Sequence, residues 1–118
     1  MSTFYQTIGI AARRKGPFTD LEALVDTSST YTWVPSPVLN RLGIEPTERR
    51  LFDTADGRII EREMAEIPVR LEGRVYFSLV VFGNPGAIPL LGATTLEDFG
   101  LGVDPERQGL IPVRGLAT

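Results

Sequence analysis

The sequence predicts a single all-β domain over residues 1–118, mainly strand with one or two short helices. Short apolar runs separated by Gly, Pro, Asn and Asp recur at intervals typical of a β-barrel or sandwich. Helical periodicity is limited to two short stretches. A chain of 118 residues suits one compact domain and can bury a core without disulfides or a structural metal.

The first 43 residues predict three strands and a short helix. The apolar succession of Ala23, Leu24 and Val25 is typical of a strand buried on both faces. Serine followed by proline is a frequent helix start, with serine as N-cap and proline at the first helical position. The predicted elements are strands at residues 7–12, 21–25 and 32–35, and a helix that begins after Ser36 and is closed by Gly43.

Two hairpins are predicted in the middle of the chain. Residues 50–53 and 58–62 flank a polar turn at 54–57, where the Asp-Gly dipeptide tolerates positive φ. Residues 64–71 and 74–82 form the second hairpin around Glu72 and Gly73. Apolar residues on both faces of 74–82 predict a deeply placed strand.

The C-terminal part predicts a short strand, a capped helix and a final hairpin. Residues 88–91 form the strand. Thr94 and Glu97 have the spacing of a capping box, in which each side chain bonds the backbone N–H of the other residue. Gly100 ends the helix, and residues 101–103 and 110–113 form the hairpin.

The chain contains no histidine and no cysteine. Ser/His/Asp and Cys/His hydrolysis, and nearly every catalytic zinc site, need one of these side chains. Those mechanisms are therefore excluded within one chain. Carboxylates, lysine and tyrosine are left for acid–base work near neutral pH, so we expect carboxylate chemistry.

The charge balance disfavours nucleic acid as a partner. The chain has 12 basic and 15 acidic residues, a formal charge of −3, and no basic run longer than residues 13–15. No signal-like N-terminus and no stretch of about 18 apolar residues is present, so we expect no membrane partner. The absence of cysteine fits a reducing compartment, and we expect a cytoplasmic location.

Asp26 stands at the end of an apolar strand and is followed at once by Thr27, Ser28 and Ser29. A charge at the mouth of a buried strand loses hydration, and it persists only if N–H and O–H donors satisfy it or if it takes up a proton. Ser28 and Ser29 can be these donors. An aspartate followed by small hydroxyl residues is also a common Asx-turn at a strand end, and the triplet alone favours this second interpretation.

The order of motifs resembles the retropepsin-like aspartic proteases, the single-lobe, pepsin-related members of clan AA. Their signature is an apolar run, Asp-Thr-Gly or Asp-Thr-Ser, a small residue, and far downstream two apolar residues before glycine and a short helix. Here these elements are residues 23–29 and 89–96, with the polar hairpin 52–59 where the family carries its flap. The turn at 103–105 and the apolar run 110–113 are similar to bacterial members. The resemblance covers residues 6–113 and implies a retropepsin-like acid-protease β-barrel, one lobe per chain.

The resemblance implies a homodimer, because the family needs two facing aspartates and this chain has one Asp-Thr-Ser. Two carboxylates in such close contact share one proton, so one carboxylate acts as the base and the other as the acid. The base activates a water that attacks a peptide carbonyl, and the acid donates to the carbonyl oxygen. The implied function is an aspartic endopeptidase that acts on a peptide or protein substrate and requires no metal and no cofactor.

The resemblance also assigns roles around Asp26. It implies that the Thr27 hydroxyl bonds across the dimer axis and that the Ser28 N–H donates to the catalytic carboxylate. Trp33 either lines a side-chain pocket or is a core aromatic residue. The implied substrate-binding residues are Ser29, Thr30, Tyr31, Trp33, Thr54, Ala55, Asp56, Gly57 and Ile88.

Two departures from the family pattern keep an alternative open. Gly57 is the one glycine of the flap tip, where viral members are glycine-rich, and Ala93 stands where many members have an arginine that braces the dimer. We therefore expect the interface to rely on the termini, with residues 110–113 pairing between subunits. The alternatives are a catalytically inactive peptide-binding or scaffold domain of the same fold, and an unrelated β-domain with an Asx-turn at Asp26.

Overall fold

A computed structural model describes residues 3–115, which contain nine strands and two short helices. This composition confirms the prediction of a mainly-β chain. The strands are β1 (Tyr5–Ile10), β2 (Thr19–Val25), β3 (Thr32–Pro35), β4 (Glu48–Asp53), β5 (Ile59–Leu71), β6 (Arg74–Gly83), β7 (Leu90–Leu91), β8 (Leu101–Asp104) and β9 (Gly109–Pro112), and the helices are α1 (Ser36–Arg41) and α2 (Ala93–Asp98).

Seven of these strands form one sheet that closes into a barrel. Their order is β1-β2-β7-β3-β6-β5-β4, and β1 also pairs with β5 through Gly9↔Arg70 and Ile10↔Val69. Six strands therefore form a ring, and β4 extends from it as a hairpin with β5. The short strand β7 lies between β2 and β3, parallel to β2 and antiparallel to β3. Strands β8 and β9 form a separate two-stranded sheet.

The barrel interior is filled by alternating side chains of its strands. Ile8 and Ile10 of β1 are fully buried, as are Val69 and Leu71 of β5. Phe99, which follows α2, is buried in the same cluster. Each such side chain stabilises the fold by about 1.5–3 kcal/mol relative to an exposed position, so the core holds the ring of strands together.

The first two strands differ in their bounds from the prediction. Strand β1 begins and ends two residues earlier than predicted, and β2 begins two residues earlier, because the two strands pair without interruption from Tyr5↔Leu24 to Ile10↔Thr19. The prediction that β2 is buried on both faces was wrong for Leu24. This side chain is half-buried, whereas Ala23 and Val25 are buried.

Strand β5 joins two segments that the sequence predicts as separate strands, residues 58–62 and 64–71. It runs for 13 residues and changes its neighbour at Met64, which is in register with both Glu48 of β4 and Val81 of β6. The polar residues Glu61 and Glu63 interrupt the apolar pattern without ending the strand, because they lie on one face of the hairpin that projects from the barrel.

Both predicted helix caps were wrong. In α1 the N-cap is Pro35, Ser36 is already helical, and no side chain caps the helix. In α2 the N-cap is Gly92, the helix begins at Ala93, and no capping box forms. Gly43 and Gly100 end the helices as predicted, with φ of 75° and 66°.

None of the helices within residues 3–115 has the length and apolar character needed to cross a membrane.

Candidate active site

Asp26 directly follows β2, where the backbone is held on both sides. The Asp26 N–H donates to the carbonyl of Leu91 in β7 at 3.0 Å, and the Val25 N–H donates to the carbonyl of Phe4 at 3.0 Å. The Leu24 N–H also donates to Pro89 at 2.8 Å. Hydrogen bonds to two neighbouring segments fix the direction in which the Asp26 side chain leaves the strand.

The Asp26 carboxylate is half-buried and accepts two hydrogen bonds from one residue. The Ser28 N–H and the Ser28 Oγ lie 3.0 Å and 2.5 Å from Asp26 Oδ1. The donors of Ser29 are used elsewhere, contrary to the prediction. Its N–H donates to the Asp26 carbonyl at 3.1 Å and its Oγ donates to the Tyr31 carbonyl at 2.8 Å. Among residues 3–115, Glu72 and Gln108 are the non-glycine residues with positive φ, so serine fits position 28 without backbone strain.

The loop after Asp26 rests on the start of α2. The Ala93 and Thr94 N–H groups donate to the carbonyls of Ser29 and Thr30 at 2.8 and 2.9 Å. Gly92 lies so close to this loop that a Cβ placed on it would be 2.2 Å from the Tyr31 carbonyl oxygen. The glycine therefore allows two backbone segments to meet, and its φ of −98° is one that any residue adopts.

A chain of buried hydroxyl groups supports this contact from below. Thr32, Ser78 and Thr95 are the three buried polar side chains of residues 3–115. The Gly92 N–H donates to Thr32 Oγ1 at 3.1 Å, which lies 2.6 Å from Thr95 Oγ1. Thr95 Oγ1 lies 2.9 Å from Ser78 Oγ, which donates to Asp98 Oδ2 at 2.8 Å. The carboxylate end fixes the donors, because each hydroxyl has one proton: Ser78 donates to Asp98, so Thr95 must donate to Ser78 and Thr32 to Thr95.

Replacement of Thr95 by valine is expected to lower the free energy of unfolding by about 2 kcal/mol, because it leaves the buried Thr32 hydroxyl without its acceptor. Urea denaturation of both proteins measures the difference. Thr94→Val is the matched control on the same helix, since Thr94 contacts the loop through its N–H. Equal stability of the two variants would contradict a supporting role for the hydroxyl chain.

A cleft of about 400 Å³ lies beside the loop. Trp33 and Tyr31 form one wall, and both contact the ring of Phe52 edge-on, with centroid distances of 5.3 and 6.2 Å. Trp33 is therefore a half-buried cleft residue that packs against β4, which supports the pocket interpretation over the core interpretation. The lining residues are Ser29, Thr30, Tyr31, Trp33, Arg50, Leu51, Phe52 and Asp53.

Arg50 ties the two walls of the cleft together. Its Nη1 donates to the Tyr31 hydroxyl, and its guanidinium lies 5.3 Å from the centre of the Tyr31 ring. Its Nη2 also lies 2.7 Å from Glu48 Oε2. The hydrogen bond to Glu48 is the main cause that raises the pKa of Arg50 above its ordinary value. Arg50 is thus a fixed positive charge at the edge of the cleft.

The tip of the hairpin is a tight turn over Thr54, Ala55, Asp56 and Gly57. The Gly57 N–H donates to the Thr54 carbonyl at 3.0 Å, and Gly57 has a φ of 85°. The hydrogen bond from the Thr54 hydroxyl, followed by that from Arg58, lowers the pKa of Asp56 below its ordinary value. Asp56 thus accepts hydrogen bonds from Thr54 and Arg58, the residues on either side of the turn.

The structure brings together some of the predicted site residues and leaves others apart. Ser29, Thr30, Tyr31 and Trp33 line the cleft. Thr27 is exposed, the hairpin tip is outside the cleft lining, and Ile88 is 54% exposed on the segment before β7.

Sequence analysis missed Arg50, Leu51, Phe52 and Asp53 as cleft residues. The sequence does contain a signal for two of them, because residues two positions apart in a strand, such as Arg50 and Phe52, lie on the same face. The sequence does not indicate which face turns toward the barrel.

Neither a known family model nor a curated protein matches this chain. Among solved structures, it is similar to the solution structure of the Simian Foamy Virus (mac) protease, with a TM-score of 0.60 and 23% sequence identity. The match covers 81% of this chain and 94% of that protease. The chain therefore has the retropepsin-like β-barrel fold that its motif order implied.

Proposed function

We propose that this chain is one subunit of a homodimeric aspartic endopeptidase, in which Asp26 and its copy in a second subunit activate a water molecule. The observation that carries the proposal is the position of Asp26. It is half-buried at the end of a barrel strand, its loop is held by α2, and the fold is similar to that of a retroviral protease.

The reaction uses one ionised and one protonated carboxyl group. The ionised carboxylate takes a proton from the water as the water oxygen attacks the peptide carbonyl carbon, and the protonated carboxyl donates to the carbonyl oxygen. When the tetrahedral intermediate collapses, the C–N bond breaks and a proton passes to the leaving amine. Ser28 holds Oδ1 through two hydrogen bonds, which leaves Oδ2 for the water and the facing carboxylate.

Activity should depend on dimer formation, because one chain supplies one Asp-Thr-Ser aspartate. At chain concentrations far below the dimer dissociation constant, the rate of peptide cleavage is expected to vary with the square of the chain concentration. Sedimentation at matching concentrations checks the mass of the active species. Cleavage by a species that stays monomeric, with a rate proportional to concentration, would contradict the shared site.

A second candidate is a peptide-binding domain without catalysis. The observation in its favour is the Ser28 hydroxyl, which adds a second donor to Asp26 Oδ1 within the same loop, as expected for a structural turn. A peptide mimic with a hydroxyl at the position of the attacked carbonyl separates the two candidates. The protease is expected to bind it far more tightly than the parent peptide, whereas a binding domain treats the two alike.

A further inference from the structure

The chain of buried hydroxyl groups below the Asp26 loop ends at a carboxylate on the surface. Thr32, Thr95 and Ser78 are 0%, 0% and 1% exposed. Asp98 lies three residues after Thr95 on α2, is exposed, and accepts a hydrogen bond from Ser78 Oγ at 2.8 Å. A surface carboxylate is therefore connected to the interior of the barrel through three hydroxyl groups.

The carboxylate of Asp98 determines which way these hydroxyl groups point. A carboxylate can only accept, so the one proton of Ser78 is directed at Asp98. Thr95 must then donate to Ser78, and Thr32 must donate to Thr95. This leaves Thr32 Oγ1 as the acceptor for the Gly92 N–H at 3.1 Å. All three hydroxyl protons therefore point toward the surface and away from Gly92.

Without this acceptor, the chain has a second arrangement in which the protons point inward. Ser78 then donates to Thr95, and Thr95 donates to Thr32. Within residues 3–115, the structure gives Thr32 Oγ1 two partners, Thr95 Oγ1 and the Gly92 N–H. In the reversed chain, the Thr32 proton either points at the Gly92 N–H or is buried without a partner. The first breaks the hydrogen bond to Gly92, and the second leaves a buried donor unsatisfied, which is costly.

One peptide group connects this chain with the backbone of Asp26. It is the peptide group between Leu91 and Gly92. Its N–H donates to Thr32 Oγ1 at 3.1 Å, and its carbonyl accepts the Asp26 N–H at 3.0 Å. A peptide group is planar, so its N–H and its carbonyl cannot turn independently of each other. The direction of the hydroxyl chain therefore affects the backbone position of Asp26.

We propose that Asp98 is a positioning residue for Asp26, which acts through the hydroxyl chain and the peptide group between Leu91 and Gly92. Its effect on catalysis rests on the proposed function, whereas its effect on the Gly92 N–H does not. Asp98 is on α2 and outside the residues that line the cleft. We therefore expect kcat to depend on Asp98 more strongly than KM does.

Amide hydrogen exchange followed by NMR tests the first part of the proposal without any cleavage. Asp98→Leu removes the acceptor and fills its place with a side chain of similar size, which keeps water away from the Ser78 hydroxyl. The Gly92 N–H is expected to exchange about tenfold faster than in the wild type. Amides of β5 within the barrel report global unfolding and serve as the internal reference. Their exchange should change much less.

Two variants separate the acceptor from the charge. Asp98→Asn keeps an oxygen that can accept from Ser78, so the Gly92 N–H should exchange at nearly the wild-type rate. Glu97→Leu removes the neighbouring carboxylate of α2, which forms no side-chain hydrogen bond or ion pair among residues 3–115. Both leucine variants remove one negative charge near the C-terminal end of the helix, so a difference between them is not an effect of the helix dipole.

Steady-state kinetics test the second part. Asp98→Leu is expected to lower kcat about tenfold, and Asp98→Asn is expected to restore most of it. Ile10→Val is the control for stability alone, because it shortens a fully buried side chain of β1 outside the hydroxyl chain. This control should keep the wild-type kcat. Circular dichroism checks that each variant is folded, and Asp98→Ala takes the place of Asp98→Leu if the latter is not.

Several results contradict the proposal. If the Gly92 N–H exchanges no faster in Asp98→Leu than in Glu97→Leu, the carboxylate does not hold this amide. Equally fast exchange in Asp98→Asn and Asp98→Leu would remove the role of the acceptor oxygen. Faster exchange with an unchanged kcat would show that Asp26 is not positioned in this way. If the wild type cleaves no peptide, the proposed function falls, and hydrogen exchange still decides whether Asp98 holds the Gly92 amide.

Discussion

Replacement of Asp26 by asparagine is expected to abolish peptide hydrolysis, with kcat lower by about 10⁴-fold or more. Asparagine has the same shape and keeps an oxygen that can accept the Ser28 N–H at the position of Oδ1, so the loop and the dimer should persist. It cannot accept the proton of the attacking water, and in a twofold dimer both subunits lose this ability at once. Steady-state kinetics on a cleaved peptide measure the loss.

The control for this variant is Asp20→Asn, the same substitution on the same strand. Asp20 is an exposed residue paired with Arg70 at 2.7 Å, and a surface ion pair of this kind contributes about 1 kcal/mol or less. This control should cleave at the wild-type rate. Sedimentation must show that Asp26→Asn is still dimeric. Hydrolysis at an unchanged rate by that variant would show that Asp26 is not the catalyst.

Replacement of Gly92 by alanine is expected to lower the free energy of unfolding by about 3 kcal/mol. The new methyl group would lie 2.2 and 2.4 Å from the carbonyl oxygen and carbon of Tyr31, and 2.8 Å from the Ser29 carbonyl oxygen. These are backbone atoms, so no side-chain rotation relieves the overlap and the loop must move away from α2. Urea denaturation measures the loss of stability, and catalysis should fall with it because the same loop carries Asp26.

Gly109→Ala is the matched control for this steric effect. An added Cβ at Gly109 would meet no atom within 4 Å, and this glycine is also outside the positive-φ set. Its replacement should change stability by less than about 0.5 kcal/mol, as surface substitutions usually do. If Gly92→Ala were as stable as Gly109→Ala, the tight contact between the loop and α2 would not limit the position of the aspartate.

The sequence predicts the strands and the position of Asp26 well because these depend on local pattern. An apolar run followed by Asp-Thr-Ser places the carboxylate at a strand end wherever the strand goes, and the structure puts Asp26 there. The turn at Glu72 and Gly73 is equally local, and both residues have positive φ, 53° and 76°. Such features require no knowledge of distant contacts.

The helix caps and the cleft depend on tertiary contacts, and local pattern cannot supply them. The N–H groups of Ala93 and Thr94 donate to carbonyls of the Asp26 loop, so α2 needs no capping side chain. The Thr95 hydroxyl, buried in the same helix, is engaged with Thr32 and Ser78. Likewise, Arg50 and Arg62 are seen to lie opposite each other only once the register of β4 and β5 is known.

The uninterrupted course of β5 also limits how the hairpin of β4 and β5 can bend. Residues 59–67 of this strand include no glycine and no proline, so no single residue provides a natural pivot. Any bending of this segment must then be spread over many peptide units as a change in strand twist. The bending segment ends at Met64. Before this residue β5 pairs with β4, and after it β5 pairs with the barrel strand β6. One unbroken strand therefore connects the barrel wall to the turn at the end of the hairpin.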